Sequence, residues 1–311
     1  MKILVTCPPM IAARSEFEPI LRQYDVVADC PDVKQTLAES ELERLVPGYE
    51  GWIIGDDPAT RSVLAAGRNG RLRAAIKWGV GTDNVDFLAC DDLGIAIDNT
   101  PGIFGDEVAD IVVAYLVGLA RGISLVDRQV RQGLWPKPAG ISLAGKIAGI
   151  VGFGNIGQHV SARLTAMKMK TVAYVPELPS GNKNGVDYRL WPAGIGDCNF
   201  LVFACPLTAD TKHMLNTKTL ARTMPGVRII NVSRGALIDE AALDAAISSG
   251  HVHSAALDVY ETEPLPPEHP LRQHERCIFG THNASNTVEA VESTNRIAID
   301  KLMALLGRRK L

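Results

Sequence analysis

An apolar run that begins at Ile147 leads into Gly152-Phe153-Gly154-Asn155-Ile156-Gly157, and a stretch of helical character, 158–167, follows. Strand, glycine turn and helix in that order restrict the backbone more than any other segment of the chain. Gly152 permits the tight turn, Gly154 lets the backbone come close to a bound group, and Gly157 lets the helix pack closely on the strand. The uncompensated N–H groups and partial positive charge at the start of such a helix suit a pyrophosphate. Three glycines can also make a plain strand–turn–helix corner. The strand before them and the helix after them favour a dinucleotide site.

The turn opens the second of two blocks in which strands alternate with helices. The first block has candidate strands at 3–5, 26–27, 52–54, 75–78 and 95–97, with helices expected over 17–23 and 35–45. The second has candidate strands at 147–153, 171–175, 200–204, 227–232, 253–257 and 277–279. Alternation of this kind predicts parallel sheets covered by helices on both faces. Six strands, the first leading into the glycine turn, fit a doubly wound dinucleotide-binding sheet. Between the blocks a long helical region is predicted over 106–131, ended by Gly133, Pro136, Pro138 and Gly140. Its most apolar part, 108–120, is apolar nearly all round, so it is expected to be covered on several sides, including by a second subunit. A last amphipathic helix is predicted over 288–306, ending in the basic run Arg308-Arg309-Lys310, and a surface loop over 179–185.

A length of 311 residues suggests two domains. With 46% hydrophobic and 22% charged residues and a net charge of −3, the chain reads as a soluble protein. It has no basic excess for a nucleic-acid or membrane partner. The apolar start, 3–5, is too short for a signal peptide and is expected to be a first strand. Cys7, Cys30, Cys90, Cys198, Cys205 and Cys277 contain no C-x-x-C pair, so no metal site is signalled and reduced thiols in a cytoplasmic protein are expected.

A ribose-binding acid is expected at the end of the strand after the glycine turn, but that position holds Val175, with Glu177 two residues on. No arginine stands beside it in sequence to take a 2′-phosphate, and Lys183 is the nearest cation. The expected coenzyme is therefore NAD rather than NADP.

Four further segments carry chemistry-bearing residues: Gly79-Val80-Gly81-Thr82-Asp83-Asn84-Val85-Asp86, Asn231-Val232-Ser233-Arg234-Gly235, Asp258-Val259-Tyr260-Glu261-Thr262-Glu263-Pro264 and Gly280-Thr281-His282. A fifth is Cys205-Pro206-Leu207-Thr208, with Thr211 after it. Taken singly, each has a plainer use: a turn with a helix cap, a surface arginine, solvated loop acids, one histidine of seven. Together and in this order, over nearly the whole chain, they resemble the D-isomer-specific 2-hydroxyacid dehydrogenases. Thr281, Asn283 and Asn286 depart from that family's commonest pattern.

The resemblance implies a Rossmann NAD-binding domain, 99–285, inserted in a flavodoxin-like substrate-binding domain made of 1–98 and 286–311, with the active site in the cleft. It implies a homodimer built through 106–144 and no extra regulatory domain. It implies Arg234, Glu263 and His282 as catalytic residues, with Glu261 as a nearby decoy. Cofactor contacts are implied at Gly152, Gly154, Asn155, Ile156, Gly157, Cys205, Pro206, Thr211, Val232, Ser233 and Asp258, and substrate contacts at Val80, Gly81 and Arg234. The expected reaction moves a hydride between the nicotinamide and C2 of a small 2-oxo or D-2-hydroxy acid, possible substrates including those of the phosphoglycerate and hydroxypyruvate type. Histidine suits the accompanying proton because it titrates near neutrality. An arginine can bind a carboxylate through two parallel hydrogen bonds. The alternatives are a non-catalytic NAD sensor on the same fold, or a relative acting on a non-acid such as phosphite.

Overall fold

The structure, a computed structural model, describes residues 1–178 and 186–310. The loop expected over 179–185, with Lys183, lies outside them. Two compact units are present, Met1–Ile103 with Asn286–Leu311, and Phe104–Ser285. The break falls a few residues later than 98 because Thr100 is tied back to the first unit. Its N–H donates to Gly79 O at 3.2 Å, and its Oγ1 accepts from Gly79 N at 2.8 Å.

The first unit has five parallel strands, β1 (Lys2–Val5), β2 (Val27–Asp29), β3 (Gly51–Ile54), β4 (Ala74–Lys77) and β5 (Ala96–Asn99). Their order is β2-β1-β3-β4-β5, the flavodoxin-like arrangement. Helices α1 (Pro8–Ala12), α2 (Arg14–Arg22), α3 (Glu39–Leu45), α4 (Arg61–Asn69) and α5 (Phe87–Leu93) connect them. Every residue of β3 and β4 is buried, which is why these strands read as continuous apolar runs. Lys77 is the exception in composition. Its buried ammonium donates to Gly55 O at 2.7 Å, Trp78 O at 3.0 Å and Asp56 Oδ1 at 3.0 Å, and these contacts offset the loss of hydration. Helix α3 is shorter than the expected 35–45, because Ala38 is still extended (φ −67°, ψ 148°) and forms its N-cap.

The C-terminal helix Val288–Leu305 buries Ala290, Val291, Thr294, Asn295, Ala298, Ile299, Leu302 and Met303, an i, i+4 stripe against the first sheet. The basic run 308–310 lies beyond its last turn. Thr287 caps it, accepting from Ala290 N at 3.1 Å. Thr287→Ala is expected to cost about 1 kcal/mol, checked as faster amide hydrogen exchange in the helix's first turn.

The second unit begins with α6 (Gly105–Arg121) and α7 (Ile123–Arg131). The expected single helix over 106–131 is two, bent by 66° at Gly122, which adopts a left-handed φ of 63°. Seven parallel strands follow: β6 (Ile147–Val151), β7 (Lys170–Tyr174), β8 (Asp187–Arg189), β9 (Phe200–Phe203), β10 (Val227–Asn231), β11 (Val252–Leu257) and β12 (Ile278–Phe279). The helices between them include α8 (Asn155–Ala166), α9 (Thr217–Leu220) and α10 (Glu240–Ser248). The order β12-β11-β10-β9-β6-β7-β8 contains the dinucleotide-binding order with one added strand. The sequence predicts six of the seven; β8 escapes because Asp-Tyr-Arg, an edge strand of three residues, has no apolar run. Among the described residues no single helix is long and apolar enough to cross a membrane. All six cysteines are free thiols.

Candidate active site

Three neighbouring strands of the second sheet deliver the three sequence-predicted catalytic residues and the expected cofactor residue Asp258 at their C-terminal ends. Arg234 follows β10, Asp258 and Glu263 follow β11, and His282 follows β12. This is the end at which open parallel sheets hold ligands. His282 Nδ1 lies 2.8 Å from Glu263 Oε2. Because the carboxylate accepts, Nδ1 carries the hydrogen. His282 sits at a left-handed φ of 54°, held there by its backbone N–H donating to Asp258 O at 2.6 Å. The second oxygen of Glu263 accepts from Tyr260 N at 3.0 Å, so both oxygens of the carboxylate are engaged.

Asp258 is 2% exposed. Its Oδ2 accepts from Ala284 N at 2.8 Å and its Oδ1 from Tyr115 Oη at 3.2 Å. The expected cofactor residue therefore also ties the loop after β12 to α6. Tyr115 was not singled out by its sequence context, a single tyrosine within an apolar helix; burial, then the neighbouring Asp258, pushes its hydroxyl pKa up. A Cβ at Gly280 would lie 2.1 Å from Asp258 Oδ1 and 2.3 Å from Tyr115 Oη, so this junction needs glycine. Tyr260 bridges the two loops, donating toward Leu257 O and Gly280 O, both at 2.9 Å.

The turn carrying Arg234 is built by Asn231. Its Nδ2 donates to Arg234 O at 2.8 Å and its Oδ1 accepts from Ser233 N at 3.1 Å. Arg234 Nη1 donates to Ser233 O at 2.8 Å. The Ser233 hydroxyl donates to Cys205 O, joining this turn to the loop after β9. Within that loop Thr211 Oγ1 donates to Pro206 O at 2.8 Å and accepts from Thr208 N at 2.7 Å.

Glu261 has a different place from Glu263. Glu261 N donates to Glu240 Oε1 at 2.9 Å and Glu240 N donates to Glu261 Oε1 at 3.2 Å, a reciprocal clasp between α10 and the Glu263 loop. His269 Nε2 lies 3.1 Å from Glu240 Oε2 and His213 Nε2 lies 3.3 Å from Glu261 Oε2. Burial is the main reason the Glu240 carboxyl pKa is raised.

The glycine turn has the geometry its spacing implies. Gly152 has φ 94°, and a Cβ there would lie 2.7 Å from the Ala204 backbone. A Cβ at Gly157 would lie 2.2 Å from Gly152 O, while one at Gly154 meets nothing within 4 Å. Asn155 and Ile156 open α8, whose first turn has neither a side-chain cap nor an acid. Uncapped N–H donors beside an open glycine fit a pyrophosphate. Val175, directly after β7, is half-buried, and Glu177 is exposed. The unforeseen β8 brings Arg189 opposite Tyr174. The arginine absent from the local sequence thus arrives from another strand. Its guanidinium is engaged by Asp187 and Asp197, both at 2.8 Å.

Val80 and Gly81 belong to the other unit, just after β4. Val80 O accepts from Asn99 Nδ2 at 3.1 Å, and Val80 is 42% exposed. The same loop also has the plainer role, since Asp86 caps α5 by accepting from Ala89 N at 2.7 Å.

A family model described as D-isomer specific 2-hydroxyacid dehydrogenase, NAD binding domain, matches residues 113–284. The chain is 33% identical over 276 residues to a hydroxypyruvate reductase of Thermotoga maritima, covering 87% of this chain and 89% of that protein. It is 33% identical to D-3-phosphoglycerate dehydrogenase 2, chloroplastic, of Arabidopsis thaliana, over 95% of this chain, but spans only 46% of that longer protein. Among solved structures it is similar, at TM-score 0.83 and 26% identity, to an NADPH-dependent glyoxylate/hydroxypyruvate reductase from Sinorhizobium meliloti in complex with NADP and malonate; the match covers 98% of this chain and 93% of that one. The chain belongs to the D-isomer-specific 2-hydroxyacid dehydrogenases, oxidoreductases acting on the CH–OH group of their donors.

Proposed function

We propose that the protein is an NAD-dependent reductase of small 2-oxo acids of the hydroxypyruvate or glyoxylate kind, running reversibly to the D-2-hydroxy acid. The observation that carries this reading is the 2.8 Å His282–Glu263 pair, set in the same row of strand ends as Arg234. The near full-length match to a hydroxypyruvate reductase supports the substrate class. When bound, the nicotinamide coenzyme supplies or accepts the hydride at C2.

Protonated His282 gives its Nε2 proton to the C2 oxygen during reduction and takes it back during oxidation. Glu263 holds the ring in that orientation and favours its charged form. Arg234 binds the substrate carboxylate and stabilises charge developing on the C2 oxygen. Backbone N–H groups at Val80 and Gly81 take the other end of the carboxylate. The dinucleotide is held by Gly152, Gly154, Asn155, Ile156 and Gly157 at the pyrophosphate, with Cys205, Pro206, Thr211, Val232, Ser233 and Asp258 along the rest.

NAD is favoured over NADP because Arg189, which β8 sets opposite the end of β7, is already paired with two carboxylates. Among the described residues, a 2′-phosphate would have to displace one of those carboxylates from Arg189. A charge-assisted hydrogen bond contributes about 1.5–3 kcal/mol, so kcat/KM with NADH should exceed that with NADPH at least tenfold. We further propose a cytoplasmic homodimer joined through 106–144, where Ile123, Leu134 and Trp135 are 53, 54 and 79% exposed.

The test is nicotinamide absorbance with NADH and NADPH separately, over hydroxypyruvate, glyoxylate, pyruvate, 2-oxoglutarate and phosphohydroxypyruvate. Fastest turnover is expected on one of the first two with NADH. Turnover confined to phosphohydroxypyruvate, or equal use of both coenzymes, contradicts the corresponding part of the reading.

A further inference from the structure

The loop after β4, proposed to take the substrate carboxylate at Val80 and Gly81, leaves a strand end that neighbouring strands hold closely. Trp78 N donates to Ile54 O at 2.9 Å, and Lys77 Nζ donates to Trp78 O at 3.0 Å. Gly79 N donates to Thr100 Oγ1 at 2.8 Å, and Gly79 O accepts from Thr100 N at 3.2 Å. Gly79 has φ 116°, a backbone that suits glycine, so the chain turns sharply there.

Two further contacts come from far along the chain, on the C-terminal helix Val288–Leu305. The first is made by Asn295, 217 positions from Trp78, whose Oδ1 accepts from Trp78 Nε1 at 2.8 Å. An indole N–H can only donate, so the amide oxygen has to face it. Trp78 is 6% exposed and Asn295 2%. An amide at so buried a helix position is a poor choice for packing alone, because it has to be desolvated. What asparagine adds there is the acceptor for the indole.

The second contact is made by Lys301. Its Nζ donates to Asn99 O at 2.8 Å and to Asp98 Oδ2 at 2.7 Å. That hydrogen bond holds the Asp98 carboxyl pKa below its ordinary value. Asn99 Nδ2 in turn donates to Val80 O at 3.1 Å. The helix therefore grips the loop on both sides of Gly79, at Trp78 through Asn295 and at Val80 through Lys301 and Asn99.

We infer that the C-terminal helix fixes the loop that binds the substrate carboxylate, with Asn295 and Lys301 as positioning residues for substrate binding. Both act through other residues, Asn295 through Trp78 and Lys301 through Asn99. The inference rests on the reading that Val80 and Gly81 bind the carboxylate. Adjacent backbone N–H groups hold an anion only while they converge on it. A loop fixed before binding loses less freedom when the substrate arrives. The carboxylate keeps its charge throughout hydride transfer, so its binding serves ground state and transition state alike. Loosening the loop should therefore raise KM and spare kcat.

The test is steady-state reduction of hydroxypyruvate and of glyoxylate at saturating NADH. The variants are Asn295→Leu, Trp78→Phe, their double variant and Lys301→Met. Each single variant should raise KM at least about threefold, the loss of one net hydrogen bond. In each, kcat should stay within about twofold of wild type, as for lost uniform binding, and NADH affinity should not change. The double variant should be no worse than the worse of its two singles, since both break the same bond. Lys301, with a side chain 33% exposed, keeps the test open should Asn295→Leu fail to fold. A lower urea midpoint or a lower kcat with KM unchanged overturns the proposal. Gly79→Ala, which strains the loop directly, separates this result from failure of the carboxylate reading. A KM raised by Gly79→Ala alone removes the helix's role and leaves that reading standing. A KM unchanged in every variant, or no reduction of either acid, removes both.

Discussion

Replacing His282 with alanine is expected to lower kcat at least about 100-fold, the low end for loss of a general acid, with little change in coenzyme affinity. The ring is the proposed proton carrier, and Glu263 engages it at Nδ1. Glu263→Gln should fall between wild type and His282→Ala, because it keeps a hydrogen-bond acceptor but removes the charge that favours the imidazolium. Reduction by the wild type should decline as the pH rises and His282 loses its proton. Stopped-flow single turnovers with purified variants read the chemical step directly. Near-normal turnover by His282→Ala would remove His282 from the mechanism.

The second large effect is expected at Gly235. A Cβ there would lie 1.8 Å from the Tyr260 carbonyl carbon, 2.1 Å from its oxygen and 2.3 Å from Glu261 N. All three are backbone atoms, so no rotamer change can relieve the contact. Gly235→Ala must push the Arg234 turn away from the segment bearing Glu263, at a cost of about 3 kcal/mol, the upper end for overpacking. Activity should fall with stability, since the two catalytic loops separate. Gly154→Ala is the control. A Cβ there meets nothing and its φ is −77°, so stability should hold while NADH binds more weakly, because the methyl intrudes where the pyrophosphate approaches. Urea midpoints and NADH fluorescence titrations separate the two outcomes. Equal stability of Gly235→Ala and wild type would contradict the packing described.

The legible parts of this chain were those whose local sequence carries the physics. The fully buried strands β3, β4, β9 and β10 announce themselves as apolar runs. The turn at 152–157 carries its conformation in three glycines, one with positive φ and one against a carbonyl. What the sequence hid depends on contacts between distant segments. Gly122 looks like an ordinary small residue in an apolar helix, yet its left-handed backbone splits α6 from α7. The edge strand β8 has no apolar signal, and with it Arg189, the arginine beside the coenzyme strand, stayed hidden. Tyr115 and the Glu240–Glu261 clasp are residues whose partners lie 143 and 21 positions away, a separation no local pattern encodes. Family resemblance points to Arg234, Glu263 and His282 because their segments stand in order; it assigned no role to Asn231, Tyr260 or Tyr115, whose side chains tie those segments together.

The central claim is hydride transfer to C2 of a 2-oxo acid. It is tested most directly by incubating the protein with hydroxypyruvate and NADH deuterated at nicotinamide C4 on each face in turn, then examining the glycerate formed. The account predicts one deuterium at C2, from one face of the coenzyme only, in the D-isomer. Bound NADH with no labelled product across the panel of acids would contradict it and favour a coenzyme-sensing role for the same fold.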